Sequence, residues 1–260
     1  MGDGTGIEWT DATWNPVVGC TKVSAGCRNC YADELHGKRH RAVLAGKRLP
    51  AQYARPFTEV QTFPVRLDEP RRWRRPRHVF VCSTSDLFHE DVPFDFLREV
   101  FAVMASCPRH TFQVLTKRSR RLADLAHALP WPENVWVGVS VETVDHYDRI
   151  RDLETVPAVV RFLSLEPLLG PLEELPLGGV SWVITGGESG PRSRPVEAAW
   201  VRSIRDQTKA AGAAFFFKQW GGTNKRKAGK VLEGRTWAEM PEIAERLTRH
   251  EMEAFPEGRR

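Results

Sequence analysis

Seven short apolar runs, each followed by a polar stretch and then an amphipathic segment, set the strongest limit on how this chain can fold. The runs occupy residues 14–19, 78–83, 111–116, 135–141, 159–165, 180–185 and 214–218. They are apolar on both alternating faces, the pattern of strands buried on both sides of a parallel sheet. Helical spacings fill the gaps. Leu97, Val100, Phe101 and Met104 follow i, i+3, i+4, i+7, with Asp95 near the start of the segment. Trp200, Val201, Ile204 and Thr208 recur similarly in a segment opening at Glu197. Strands alternating with helices imply right-handed crossovers and a parallel sheet. The expected fold is α/β, a (β/α) barrel or partial TIM-like barrel of about six to seven parallel strands. A doubly wound sheet is the competing arrangement. One domain over residues 1–260 suits this length, with excursions from the core near 38–77 and 221–240.

In a parallel barrel the carboxyl ends of the strands converge on one face, where active sites are built. Here those ends carry Cys20; Ser83, Ser85 and Asp86; Lys117; Ser140 and Glu142; Glu166; Gly187 and Glu188; and Lys218, Gln219 and Trp220. Ser and Asp cap helices routinely. Five lysines and glutamates at one face are harder to explain as caps, and they point to a ligand site. Lys117 and Lys218 are candidate catalytic groups, binding a phosphate or carboxylate or acting as a base. The competing reading is a buried salt bridge with Glu142, Glu166 or Glu188. His89 and Glu90 are a possible proton-donor pair or a cap. Trp220, with Gln219, is the candidate substrate contact, its indole stacking on the substrate.

Cys20, Cys27 and Cys30 form C-x6-C-x2-C. Five cysteines is an odd number, and three within eleven residues favour a metal site over a disulfide framework. Three thiolates suit an iron–sulfur cluster or zinc. Three ligands leave one iron of a [4Fe–4S] cluster open, where S-adenosylmethionine (SAM) can chelate. A zinc site would need a fourth ligand, His36 or His40. Cys82 and Cys107 sit in apolar surroundings and read as small buried hydrophobes.

The formal charge is +5, and the cations are clustered. Arg71, Arg72, Arg74, Arg75 and Arg77 surround Trp73; Lys117, Arg118, Arg120 and Arg121 form a second group; Lys225, Arg226 and Lys227 a third. Arginine interleaved with an aromatic suits phosphate contact and base stacking, so DNA, RNA or a nucleotide is the expected partner. A solvated surface is the bland alternative. No apolar run approaches the ~20 residues needed to cross a bilayer, no membrane partner is expected, and the N-terminal residues lack a secretory pattern, which places the chain in the cytoplasm.

Residues 7–16 (IEWTDATWNP), followed by the cysteine motif, resemble the opening of an uncharacterised phage-associated three-cysteine protein family. The similarity continues through residues 81–88, 113–118, 138–142, 163–169 and 186–190, and ends at 217–222. That family is similar to the radical SAM superfamily, whose common motif has three residues between the first two cysteines. The resemblance implies a [4Fe–4S] cluster on Cys20, Cys27 and Cys30, SAM as cofactor, a 5′-deoxyadenosyl radical and an electron donor as partner. It also implies that Asp86 or a nearby hydroxyl meets the SAM amino group, that Ser140 and Glu142 bind the ribose and methionyl end, and that Glu166 approaches the adenosine. Gly187 and Glu188 join the expected cofactor set by position. The resulting expectation is a radical SAM enzyme that modifies or repairs a nucleic acid or nucleotide. Two readings of other classes compete: a nucleic-acid-binding protein with a purely structural cluster or zinc, and a zinc hydrolase.

Overall fold

Val, Phe and Trp fill both faces of one sheet, so each apolar run pairs with its neighbours in parallel. The computed structural model describes residues 5–242. In chain order the elements are β1 (Ala12–Trp14), β2 (Val17–Val18), α1 (Tyr31–Leu44), β3 (Gln61–Thr62), β4 (His78–Val81), α2 (Phe94–Ala105), β5 (Thr111–Thr116), α3 (Ser119–Ala126) and β6 (Val135–Ser140). They continue with α4 (Asp148–Glu154), β7 (Arg161–Leu165), β8 (Trp182–Gly186), α5 (Ala198–Ala210), β9 (Ala214–Gln219), α6 (Lys225–Ala228), β10 (Val231–Leu232) and β11 (Arg235–Thr236). Seven strands form one parallel sheet in the order β1-β4-β5-β6-β7-β8-β9. Strand neighbours follow chain order, as in a barrel; β1 and β9 end the sheet, and the outer edge of β9 pairs with residues 237–239.

The sheet curls. Trp9, at the entry to β1, meets Trp182 of β8 with ring centroids 6.0 Å apart. Five strand spacings of ~4.8 Å would hold them roughly 24 Å apart in a flat sheet. Alternation separates the two faces cleanly. Val135, Val137 and Val139 of β6 face the helices, while Trp136 joins Trp9, Phe80, Phe162, Trp182 and Phe216 inside the curl. The helices cover the outer face: Leu97, Val100, Phe101 and Met104 of α2 and Val201 and Ile204 of α5 are fully buried in the outer core.

The first strand departs from the expected 14–19. Pro16 has no N–H to donate to a ladder, and its carbonyl instead accepts from Phe63 N at 2.7 Å. The chain therefore leaves the sheet after Trp14, and Val17–Val18 pair antiparallel with Gln61–Thr62 of the excursion. The second run ends at Val81, where Cys82 turns the chain with φ of 63°. Between β7 and β8 there is no helix. Leu168 and Leu169 cross the strand ends, their N–H groups donating to the Gly186 and Glu142 carbonyls. Among the described residues, no helix is long and apolar enough to cross a membrane.

Candidate active site

The curl encloses a cavity of about 650 Å³ at the carboxyl ends of the strands, within the usual range for a small-molecule cleft. Its floor is apolar: Trp9, Phe80 and Leu115, with Ile7 and Phe57 at the side. Its upper wall is polar. Ser140, Ser164, Glu166, Lys218 and Gln219 face it from β6, β7 and β9, and Cys20, Cys27 and Cys30 face it from the loop after β2. Ser164 was missed by reading strand ends alone. It is register partner to Ser140 and two residues before Glu166, so the period of two puts both on one face.

The cysteine loop is fastened from below by strand-end residues. At its start, Gly19 has φ of 97° and an added Cβ would lie 2.5 Å from the Glu59 carbonyl oxygen, so only glycine fits. Arg118, buried after β5, donates to Cys20 Sγ at 3.5 Å, Thr21 Oγ1 at 2.9 Å, Asp86 Oδ2 at 3.2 Å and Glu90 Oε2 at 2.8 Å. In mid-loop, Ser24 Oγ donates to Glu142 Oε1 at 2.8 Å. Gly26 lies directly over that carboxylate; a Cβ there would stand 2.7 Å from Glu142 Cδ. Near its end, Asn29 Nδ2 donates to Glu188 Oε2 at 3.1 Å. Sequence reading missed Arg118, Ser24 and Asn29 as anchors, because contacts between residues 97 to 159 positions apart leave no local pattern.

Two expected ligand-binding glutamates are thus occupied by the chain. Glu142 is fully buried, with Lys117 Nζ at 2.9 Å and Arg149 Nη1 at 2.8 Å. Burial pushes its carboxyl up, but those cations and the hydrogen bonds outweigh it and hold it below the usual range. Glu188 pairs with Arg194 at 2.6 Å, and it is likewise held low against its burial. Gly187 carries no side chain into the cavity, and its carbonyl accepts from Gln219 Nε2. Asp86 accepts four donors: Thr116 Oγ1, Phe88 N, Lys117 N and Arg118. Those fill the roughly four acceptor sites of a carboxylate, so its part is to lock β5 to β4 beneath the cysteines. Lys117 is the salt bridge that the competing reading named.

Lys218 and Glu166 also pair, Nζ lying 2.8 Å from both Oε1 and Oε2, and both line the cavity, as do Lys117, Asp86 and Glu188. Two of the three ammonium donors are used, leaving one. Ser83 Oγ donates to Asn15 Oδ1 at 3.1 Å and Ser85 Oγ to the Val17 carbonyl at 2.8 Å. Both hydroxyls therefore offer lone pairs to a ligand in the cavity. Tyr31 donates to the Ser83 carbonyl, tying the start of α1 to the turn after β4. Cys82, set aside at first, also lines the cavity.

Other sites stand elsewhere. Trp220 is not among the cavity-lining residues; its ring packs on Phe217, an outward-facing residue of β9, and its indole nitrogen donates to Val231. His89 is buried, contacts Thr21 Oγ1 at 2.8 Å and accepts from Asp91 N, while Glu90 pairs with Arg118, so both serve the loop. The run Arg71–Arg77 lies at the opposite end of the sheet, where Arg77's carbonyl accepts from Thr111 at the start of β5. In the second group, Arg118 is internal and Arg121 donates to the backbone of residues 89 and 92. In the third, the side chains of Lys225 and Arg226 lie outside the described residues.

The cysteine loop supplies three thiol donors. A tetrahedral zinc with Zn–S of about 2.3 Å requires thiolates roughly 3.8 Å apart. Among the described residues, no group of three or more His, Cys, Asp or Glu is arranged to hold a metal ion. His36 is packed between Tyr53 and Phe57 with Nε2 on the Arg55 carbonyl, and His40 contacts the Tyr53 carbonyl. Neither expected fourth ligand is available. Burial, with the charge of Asp86, pushes the Cys20 thiol up to about 11, and burial raises Cys30 as well.

Comparison with the curated proteins finds no match. Among solved structures the chain is similar to spore photoproduct lyase complexed with dinucleoside spore photoproduct, at 12% identity and TM-score 0.46 over 77% of this chain and 75% of that one. It is also similar to a double mutant of that lyase with bound AdoMet and dinucleoside spore photoproduct, at 12% identity and TM-score 0.43 over 76% and 60%. The family model described as "Protein of unknown function (DUF5131)" matches residues 4–241. That match spans nearly the whole sequence, and the chain belongs to the DUF5131 family.

Proposed function

We propose that the protein is a radical SAM enzyme acting on a nucleic acid or nucleotide, in repair or modification. The observation that carries this reading is the convergence of three free thiols on one wall of a single cavity whose other walls are polar strand ends and an aromatic floor. Cys20, Cys27 and Cys30 would hold a [4Fe–4S] cluster. The reduced cluster supplies reductive cleavage of SAM to a 5′-deoxyadenosyl radical, chemistry that belongs to the cofactor.

The chain's own residues then have separable tasks. Ser83 and Ser85, donating inward, accept from the ammonium or ribose hydroxyls of SAM. Lys218, with one free N–H and its charge balanced by Glu166, orients an anionic or carbonyl oxygen. Trp9, Phe80 and Leu115 exclude water and take a flat apolar group such as a base. Domain organisation follows this reading: one half-barrel unit, with the first excursion reaching the cavity through Phe57. Delivery of the electron requires a reduced donor protein or small reductant.

Anaerobic electron paramagnetic resonance tests the reading. Dithionite-reduced protein should show a [4Fe–4S]⁺ signal whose g-values change when SAM is added. A signal indifferent to SAM would reduce the cluster to a structural part and overturn the enzymatic reading.

A further inference from the structure

The arginine run 71–77 stands at the wrong end of the sheet to touch a substrate entering the cavity. A second basic tract, not singled out by sequence, stands at the right one. Helix α1 begins immediately after Cys30, and its first turns line the cavity through Tyr31, Ala32 and Leu35. Its second half and the following loop carry Lys38, Arg39, Arg41, Lys47 and Arg48, all exposed. From residue 35 to residue 58 the sequence contains six Lys or Arg and no Asp or Glu. None of these cations has a carboxylate partner among the described residues except Arg55, which reaches Glu59 at 3.9 Å.

The tract is held in place. His36 is buried between Tyr53 and Phe57, and Arg39 lies over the Tyr53 ring at 5.0 Å. The tract's far end returns to the cavity: Phe57 lines it, and the Phe57 carbonyl accepts from Cys20 N at 2.9 Å. A pinned surface with both ends on the cavity rim is a fixed array of positive charge beside the mouth.

We infer that α1 and its C-terminal loop form the track for the phosphate backbone of a nucleic acid whose reacting nucleotide enters the cavity. The inference rests on the proposed function and names its substrate as a polymer. Lys38 to Arg41 follow Cys30 by eight to eleven residues, about 12–17 Å at 1.5 Å per residue. At ~3.4 Å per phosphate along one strand, that reaches four or five phosphates from the cavity. A free nucleotide could not use these cations.

The test is fluorescence anisotropy of a labelled 20-nucleotide DNA, single-stranded and duplex, against anaerobically reconstituted full-length protein over a salt series. Wild type should bind with a steep negative dependence of log affinity on log salt. Lys38→Ala, Arg41→Ala, Lys47→Ala and Arg48→Ala combined should lower that slope by about 3, at ~0.7–0.9 per lost phosphate contact. Arg72→Ala, Arg74→Ala and Arg75→Ala combined should leave it unchanged. An unchanged slope in the α1 variant, loss in the far-end variant, or no DNA binding by wild type overturns the track. So does binding to phosphatidylserine vesicles, lost in the α1 variant, without binding to DNA. SAM cleavage scored on the same samples separates the two proposals. Normal cleavage with an unchanged slope refutes the track alone, and absent cleavage refutes the enzymatic reading while the slope still judges the track.

Discussion

Glu142 is the residue whose neutralisation the structure makes most costly. It has no exposed surface, and both oxygens are committed: Oε1 to Ser24 and Lys117, Oε2 to Arg149. In Glu142→Gln the shape is kept while Arg149, itself buried, loses its counter-charge. Removing one partner of a buried pair costs about 3–5 kcal/mol. Lys117 keeps partial access to solvent, so the lower end, about 3 kcal/mol, is expected. For a domain of this size that corresponds to a fall in melting temperature of about 6–12 °C. The loop above also loses its midpoint anchor, so iron bound per chain after reconstitution should fall. Gly26→Ala pushes on the same carboxylate, so the two substitutions should be non-additive by roughly 0.5–3 kcal/mol. Calorimetry and iron analysis on the two single variants and the double variant provide the cycle. Additive losses, or a Glu142→Gln variant melting within 2 °C of wild type, would refute the claim that this carboxylate carries the cysteine loop.

Trp220→Ala should lower the melting temperature, because the ring packs on Phe217, yet leave SAM cleavage per bound cluster within about twofold; a folded variant that has lost cleavage would return Trp220 to the site. His110 is buried with Nε2 on the Pro70 carbonyl, and burial, reinforced by nearby Arg109 and Arg77, holds it below its ordinary 6.5. It is neutral in the fold and charges on unfolding, so stability should fall as pH drops through 6.5. Melting temperatures between pH 8 and pH 5.5 should fall less steeply in His110→Gln, and an equal slope would remove His110 as the cause.

The strands and outward-facing helices were legible because period two and period 3.6 are local signals, as in β6 and α2. The start of the sheet was not, since the exit after Trp14 depends on Pro16 meeting a partner 47 residues further on. The cysteines were legible by spacing, and the strand-end glutamates by position. Their roles were not, because Glu142 and Glu188 read identically whether they face a ligand or the underside of a loop 118 and 159 residues away. The basic surface failed in the same manner: charge density singles out three cation groups and passes over the α1 tract, and only the fold shows which basic tract adjoins the cavity.

The most direct test of the central claim is SAM cleavage itself. Protein reconstituted anaerobically with iron and sulfide, then given dithionite and SAM, should release 5′-deoxyadenosine detectable by mass spectrometry, and Cys20→Ala, Cys27→Ala and Cys30→Ala should each abolish it. A fully loaded cluster that yields no 5′-deoxyadenosine, or cleavage that survives loss of a cysteine, would contradict the account.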